Sequence, residues 1–361
     1  MPEEELSPAE RFRKAKIRRD TPALDDFTSL LKYPLDPFQE QACRELAAGK
    51  GVLVAAPTGA GKTVIGEFAI HLAIAKDLKV FYTTPIKALS NQKYAELVAR
   101  YGAERVGLLT GDTNQNGDAQ IVVMTTEVLR NMIYANSDAL ISLGYVVMDE
   151  VHYLADRFRG AVWEEVILHL PRDVKIVSLS ATVSNAEEFG AWLDEVRGDT
   201  AIIVSEIRPV PLVQHVLFGD EMMDLFEGSG KNQRVNSELV HKHATKLRQP
   251  INKPTRGRRG YPGRPELARI EKLTKPEVVD ILDDEDLLPA IFFIFSRAGC
   301  EAAVRACTSG GIRLTTTEEK QEIRRVVEEK TYSIADEDLN TLGYFEWLAA
   351  LERGVAAHHA G

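Results

Sequence analysis

Between residues 50 and 218 short apolar runs alternate with helical stretches in one rhythm. Residues 52–56 (Val-Leu-Val-Ala-Ala) form an apolar run that ends in a Gly-rich loop. Apolar positions then recur at Val64, Ile65, Phe68, Ala69, Leu72 and Ala73, the spacing of a helix face. Residues 79–84 read as a strand, and residues 86–100 as a helix with Ile86, Leu89, Leu97 and Val98 inward. Further strands are expected at 106–109, 120–124, 145–148, 175–179, 201–204 and 212–217. Apolar runs too continuous for a half-exposed strand, separated by helices, predict an α/β domain with a mostly parallel sheet.

The rhythm is absent elsewhere, and this predicts four segments. Residues 1–28 read as a charged N-terminal arm, with a basic run at 11–19. Residues 29–218 form the first domain. Residues 219–288 read as a basic, flexible insert with turn chemistry at 255–265 and a helix at 265–273. From 289 a second α/β unit starts with a buried strand at Ala290-Ile291-Phe292-Phe293-Ile294-Phe295. A helix from Arg297 follows, then another opened by a capping box at Thr316 and Glu319, one more at 342–352, and a strand at 355–357. One or two strands make a poor domain, so this unit is expected to be incomplete at Gly361.

Composition narrows the class. Apolar residues at 44% and charged residues at 27% fit a globular chain rather than a disordered one. The three cysteines are too few for a disulfide framework, and Cys300 and Cys307 read as buried helix residues. No signal peptide or membrane span is visible, so a cytoplasmic protein is expected. The net charge of −10 argues against a protein that merely coats nucleic acid. Residues 229–277, however, hold 13 Lys+Arg against 4 Asp+Glu, a local excess of +9. Arg-Gly-Arg-Arg-Gly-Tyr within it suits RNA or single-stranded DNA as well as it suits a solvated loop.

Candidate chemistry lies at the ends of the predicted strands. Ala56-Pro57-Thr58-Gly59-Ala60-Gly61-Lys62-Thr63 follows a strand and opens a helix, the context of a P-loop. Its backbone N–H groups and the helix N-terminus would cradle phosphates, Lys62 would reach the β and γ phosphates, and the Thr63 hydroxyl would coordinate Mg²⁺. About 87 positions on, Asp149-Glu150-Val151-His152 closes another apolar run. Asp149 fits a direct or outer ligand of Mg²⁺, and Glu150 fits the base for the attacking water. An Asp-Glu pair alone also caps helices; its pairing with the P-loop favours catalysis. Ser178-Leu179-Ser180-Ala181-Thr182 ends a third strand. His358 and His359 have no partner at metal-ligand spacing and read as a loop.

Together these residues resemble superfamily 2 helicases of the DEVH-box type. Phe38 and Gln39 resemble the segment that reads adenine, with Tyr33 or Phe27 as the stacking aromatic. Thr84 to Lys93, Thr110-Gly111-Asp112 and Met124-Thr125-Thr126-Glu127 resemble motifs that contact the nucleic-acid strand. Arg208-Pro209-Val210-Pro211-Leu212, Phe293 to Arg297 and Ala357-His358-His359-Ala360-Gly361 are similar to the Ski-like branch of exosome-associated RNA helicases, most of all to its actinobacterial HelY type. The resemblance implies two RecA-like domains, the second incomplete here, with ATP and Mg²⁺ as cofactors and Glu150 and Lys62 as catalytic residues. The nucleotide would be held by Phe38, Gln39 and residues 57–63, that is Pro57, Thr58, Gly59, Ala60, Gly61, Lys62 and Thr63. Thr63 and Asp149 would hold the metal. His152, Ser180 and Thr182 would couple nucleotide state to domain movement. Pro85, Lys87, Thr110, Gly111, Asp112, Thr125, Thr126 and Arg297 would contact nucleic acid.

The implied activity is ATP-dependent movement along single-stranded RNA or a tailed duplex, 3′→5′, by a monomer. A DNA-repair helicase is the alternative within the class; a P-loop kinase and a non-catalytic nucleic-acid-binding scaffold are the alternatives outside it. The arginine fingers of the family have no counterpart in residues 1–361, so this chain alone is expected to hydrolyse ATP slowly.

Overall fold

A computed structural model describes residues 22–157, 159–181, 186–228, 230–248, 273–332, 334–335, 339 and 343–359. The chain divides into two compact units, Met1–Leu212 and Val213–Gly361.

In the first unit, eight strands form one sheet. They are β1 (Gly51–Ala55), β2 (Lys79–Thr84), β3 (Val106–Thr110), β4 (Thr113–Gln115), β5 (Ile121–Thr125), β6 (Leu143–Met148), β7 (Lys175–Ser180) and β8 (Thr200–Val204). Their spatial order is β4-β3-β5-β2-β6-β7-β1-β8. All neighbours pair in parallel except the edge strand β4, which runs antiparallel to β3. The expected α/β architecture with a mostly parallel sheet is therefore present, with β4 added.

The helices cover both faces. They are α1 (Pro22–Ser29), α2 (Pro37–Ala47), α3 (Thr63–Ala75), α4 (Lys87–Tyr101), α5 (Thr126–Tyr134), α6 (Gly160–His169) and α7 (Ala186–Arg197). Successive strand residues point to opposite faces, and the core divides accordingly. Val52, Val54, Val80, Tyr82, Tyr145 and Val147 join α1 to α3 on one side. Leu53, Phe81, Val146 and Met148 join α5 to α7 on the other. Both faces being dry explains why the strands read as unbroken apolar runs. Helix α3 is buried on more than the one expected face, since Gly66 and Ile70 are buried too.

Three expectations are corrected here. Residues 22–28 do not belong to a solvated arm, because α1 buries Leu24 and Phe27 in the core. The Phe27 ring packs 5.2 Å from Phe68 and 5.5 Å from His71. The run at 212–217 does not extend the sheet. Strand β9 (His215–Phe218) instead forms an antiparallel hairpin with β10 (Glu221–Asp224) in the second unit. Nor is residues 219–288 uniformly a linker. Besides β10 it contains β11 (Phe226–Glu227) paired with β12 (Arg234–Val235), and helices α8 (Ser237–Arg248) and α9 (Lys275–Asp284). The Arg-rich run and residues 265–272 of the helix expected at 265–273 lie outside the described residues, as does the basic run at 11–19.

The remaining helices of the second unit are α10 (Arg297–Ser309), α11 (Thr317–Thr331) and α12 (Tyr344–Leu351). The capping box at Thr316 and Glu319 is formed. Residues 290–295 are not a buried strand: Ile291, Phe293 and Phe295 are 81%, 84% and 103% exposed. Residues 355–357 are likewise irregular. Strands persist only in ladders, and among the described residues neither run has a neighbour to pair with. The unit's small core joins Val279, Cys307 and Ile312. Cys300 is only half-buried. Among the described residues no helix is long and apolar enough to cross a membrane.

Because Phe27 is fully buried against α3, Phe27→Ala should cost about 3–5 kcal/mol of stability. Chemical denaturation of the two proteins measures it; a mutant midpoint equal to that of the parent would return α1 to the arm.

Candidate functional site

The strand order places the motif-bearing loops along one rim. β6, β7 and β1 are neighbours, so the turns after Met148, Ser180 and Ala55 lie side by side. Ligands of open parallel sheets sit at such carboxyl ends, where backbone groups are free of the ladder.

The loop after β1 is held from three directions. The Ala56 N–H donates to the Ser180 carbonyl at 3.2 Å, and the Ala60 N–H donates to that of Pro57 at 3.2 Å. The third tie is Gln39, which is 4% exposed. Its Nε2 donates to the carbonyls of Ala60 and Gly61, both at 3.1 Å, while its Oε1 accepts the Asp36 N–H at 2.8 Å. Gln39, expected at a base edge, thus uses both ends of its amide within the protein, closing the capping box of α2 and bracing the loop. Gly61 has φ +76°, and a Cβ there would lie 2.7 Å from Gln39 Nε2. Only glycine fits both the conformation and the space. Pro57 and Ala60 are buried, whereas Thr58, Gly59 and Gly61 are exposed at the loop's crest.

Lys62 Nζ donates to the carbonyls of Ala56 at 2.8 Å and Pro57 at 3.0 Å. Burial pulls this ammonium below the ordinary lysine value, and the charges of Glu150 and Asp149 oppose the shift. The two acids therefore lie within electrostatic reach of the lysine. Thr63 opens α3 beside it. A hydroxyl and two carboxylates are hard oxygen donors, the set that suits Mg²⁺, which takes one or two carboxylates and completes its shell with water and phosphate oxygens. Among the described residues no group of three or more His, Cys, Asp or Glu side chains forms a richer metal cage.

Asp149 is fixed by its neighbours. Its Oδ1 accepts the Glu150 N–H at 3.0 Å, and its Oδ2 accepts the Tyr82 hydroxyl at 2.8 Å. Tyr82 is fully buried, and burial together with the Asp149 charge holds its phenol well above the usual tyrosine value, so it remains a donor. Tyr82 escaped the sequence reading because a tyrosine in an apolar run looks like core. Glu150 has φ +54° and ψ +42°, a left-handed conformation that a residue with a Cβ adopts at a cost. That turn ends the strand and starts the 3-10 helix Val151–Ala155. Glu150 Oε2 lies 3.2 Å from His152 Nδ1.

Ser180 Oγ is buried with no hydrogen-bond partner among the described residues. Thr182 lies outside the described residues. Of the aromatic residues weighed for stacking on adenine, Phe27 is removed by its burial, while Tyr33 remains 56% exposed. Phe38 is half-buried against the core.

The other half of the rim is formed by β3, β5 and β2, also neighbours. It gathers Pro85, Lys87, Thr110, Gly111, Asp112 and Thr125. Lys87 Nζ is 2.6 Å from Asp112 Oδ2, and Thr110 Oγ1 donates to Asp112 Oδ1 at 3.0 Å. Both bonds hold the Asp112 carboxyl below the usual carboxylate range. The Pro85 side chain is buried, and its carbonyl accepts from Arg159 at 3.4 Å. Thr126 is corrected: it is fully buried and its hydroxyl donates to the Thr84 carbonyl at 3.4 Å, a tie from the start of α5 to the end of β2 rather than a contact surface. Arg297, at the start of α10, is exposed and belongs to the second unit. His359 Nε2 is 2.8 Å from a Glu301 carboxylate oxygen.

The sequence of residues 36–189 matches the DEAD/DEAH box helicase family. Those residues are a DEAD/DEAH box helicase domain. Over 342 residues the chain is 58% identical to the probable helicase HelY of Mycobacterium tuberculosis, covering 94% of this chain and 38% of that protein. It is 36% identical to the exosome RNA helicase MTR4 of Homo sapiens over 336 residues, 91% of this chain and 31% of that one. The chain thus spans well under half the length of these curated relatives. A solved structure of the Mycobacterium smegmatis helicase Lhr bound to ssDNA and AMP-PNP aligns with a TM-score of 0.42 at 28% identity, over 51% of this chain and 27% of that one.

The crowding at Gly61 yields a test. Gly61→Ala should expel the Gln39 amide and strain the backbone by about 1–2 kcal/mol. Affinity for a fluorescent ATP analogue should fall about 5–30-fold, the equivalent of that strain, with the circular dichroism spectrum unchanged. Undiminished affinity would show that the Gln39 brace is dispensable.

Proposed function

We propose that this chain is the ATP-binding part of a helicase that hydrolyses ATP with Mg²⁺ to move along single-stranded RNA. The observation that carries the reading is the meeting of Lys62, Asp149, Glu150 and the Ser180 turn on three adjacent strand ends. The RNA preference is supported by the identity to a relative described as an exosome RNA helicase. The 3′→5′ direction rests on the Ski-like resemblance of Arg208 to Leu212 and Phe293 to Arg297.

In this reading the N–H groups of residues 58–63 surround the β and γ phosphates, at the N-terminus of α3. Lys62 leaves the carbonyls of Ala56 and Pro57 for the phosphate oxygens, a stronger charge-assisted contact. Thr63 and Asp149 hold Mg²⁺, which supplies charge neutralisation to the phosphoryl group. Glu150 orients a water in line with the γ phosphorus and accepts its proton as the new P–O bond forms and ADP departs. His152, beside the Glu150 carboxylate, and Ser180, tied to the P-loop backbone, lie where the presence of the γ phosphate is felt. Lys87, Thr110, Gly111, Asp112 and Thr125 form the strand-tracking half of the rim. Such contacts to phosphate and sugar hold a strand without reading its sequence. Residues 229–277 add cationic charge for the same polyanion.

Removing a general base costs about 10²–10⁴ in rate. RNA-stimulated phosphate release by the full-length protein should fall by that factor in Glu150→Gln while ATP still binds, and Lys62→Ala should lose ATP binding. Equal turnover in Glu150→Gln would end the assignment of the base. Competition of unlabelled single-stranded DNA against labelled RNA tests the sugar: a 2′-OH preference is expected, and equal competition would favour the DNA reading.

A further inference from the structure

The sheet register explains how a core tyrosine comes to touch the rim. Tyr82 on β2 and Val147 on β6 are register partners. Asp149 lies two residues beyond Val147, on the same face, one step further toward the carboxyl end. A diagonal neighbour at that spacing is out of reach of a small side chain and within reach of an aromatic one. The phenol spans the gap, and its oxygen meets Asp149 Oδ2 at 2.8 Å. The ring is walled in: Val147 Cγ1 and Tyr82 Cε2 both crowd the Cα of Gly66 on α3, each 3.1 Å from where a Cβ would stand. Lys93 Nζ lies 5.5 Å from the ring centroid. A ring so enclosed has one place to put its hydroxyl.

We propose that Tyr82 is a positioning residue for the metal: its hydroxyl locks the Asp149 carboxylate in the orientation that Mg²⁺·ATP binding uses, and it ties that carboxylate to the strand whose end carries Pro85 and Lys87. The proposal rests on the reading of Asp149 as a metal-holding residue. With one oxygen bonded to its own turn and the other to Tyr82, Asp149 cannot rotate without losing both bonds. Phenylalanine at position 82 keeps the ring and its packing and removes only the hydroxyl. It leaves the carboxylate free to turn, so the site must be organised by the metal itself. Loss of such an outer partner typically lowers metal affinity about 10–100-fold.

The experiment is a Mg²⁺ titration of fluorescent ATP-analogue binding to the full chain, comparing the parent, Tyr82→Phe, Asp149→Ala and the double variant. The Mg²⁺ concentration for half-maximal binding should rise at least tenfold in Tyr82→Phe. Affinity at saturating Mg²⁺ should return toward the parent value, and the thermal midpoint without Mg²⁺ should change little. In the Asp149→Ala background the same change at Tyr82 should have no further effect on the Mg²⁺ dependence. A Tyr82→Phe curve that overlays the parent, or an equal shift in both backgrounds, overturns the positioning role while the reading of the site stands. If Tyr82→Phe is too unstable to titrate, binding by Asp149→Asn, with Tyr82 intact, must show the raised Mg²⁺ requirement; a parent-like curve there overturns the reading of Asp149, and the proposal with it. Parental binding that ignores Mg²⁺ would instead overturn the reading of the site, and the proposal with it.

Discussion

A parallel sheet covered on both faces leaves its backbone polar groups only one outlet, the rim where the strands end. Ladder hydrogen bonds satisfy the interior of β1, β2, β6 and β7, and apolar side chains fill both faces. Polar chemistry is therefore driven to the turns, and strand order decides which turns meet. Here β1 lies beside β7 and one strand from β6, so residues 56–63, the Ser180 turn and Asp149-Glu150 become neighbours although 87 positions separate Lys62 from Asp149. The same rule puts β3, β5 and β2 side by side and makes a second group of turns beside the first.

Electrostatics at the rim follow from this placement. The half-buried Lys62 ammonium loses solvation, and it is compensated by two carbonyls and two nearby carboxylates. A buried cation with only neutral acceptors would be poorly satisfied, and the nearby charges of Glu150 and Asp149 oppose the downward shift that burial causes. The left-handed Glu150 is the structural cost of the arrangement. It turns the chain sharply after β6, directing one carboxylate back toward Tyr82 and the other toward His152. Strain of this kind persists only where surrounding bonds hold it, and Asp149 Oδ1 on the Glu150 N–H is one such bond.

The legible features were those whose chemistry demands residue types at fixed spacing. Glycines around Lys62 and Thr63, or two acids after an apolar run, have few other uses. The central strands β1, β2, β5, β6 and β7 were legible because each is buried on both faces, whereas the exposed edge strand β4 was not. Residues 290–295 show the limit of that logic. An apolar run signals a wish to be buried, yet a strand also needs a ladder partner, and that is a property of other residues. Phe27 failed in the opposite sense: its neighbours Asp25, Asp26 and Thr28 are polar, so a helix with a narrow apolar stripe looked like part of an arm. Thr126 was misassigned and Tyr82 missed because hydroxyls carry no sign of direction. One turns inward to the Thr84 carbonyl, the other outward to Asp149.

The acidic total charge also takes on a local meaning at the half of the rim formed by β3, β5 and β2, which the proposed function assigns to the nucleic-acid strand. Lys87 is an exposed cation there, and Asp112 already pairs with it. An exposed ion pair of this kind is weak, because water and salt screen it. A phosphate offers Lys87 a comparable partner, while the released Asp112 keeps its bond from Thr110 Oγ1. The carboxylate that remains repels phosphates yet can accept a hydrogen bond from a sugar hydroxyl. Exchange of one partner for another at little net cost is what the proposed strand contact needs in order to hold a strand and release it repeatedly. Tight, uncompensated positive charge would bind the polyanion more strongly and hold it in place. Under the proposed function, the balance of charge at this edge favours release of the strand over retention.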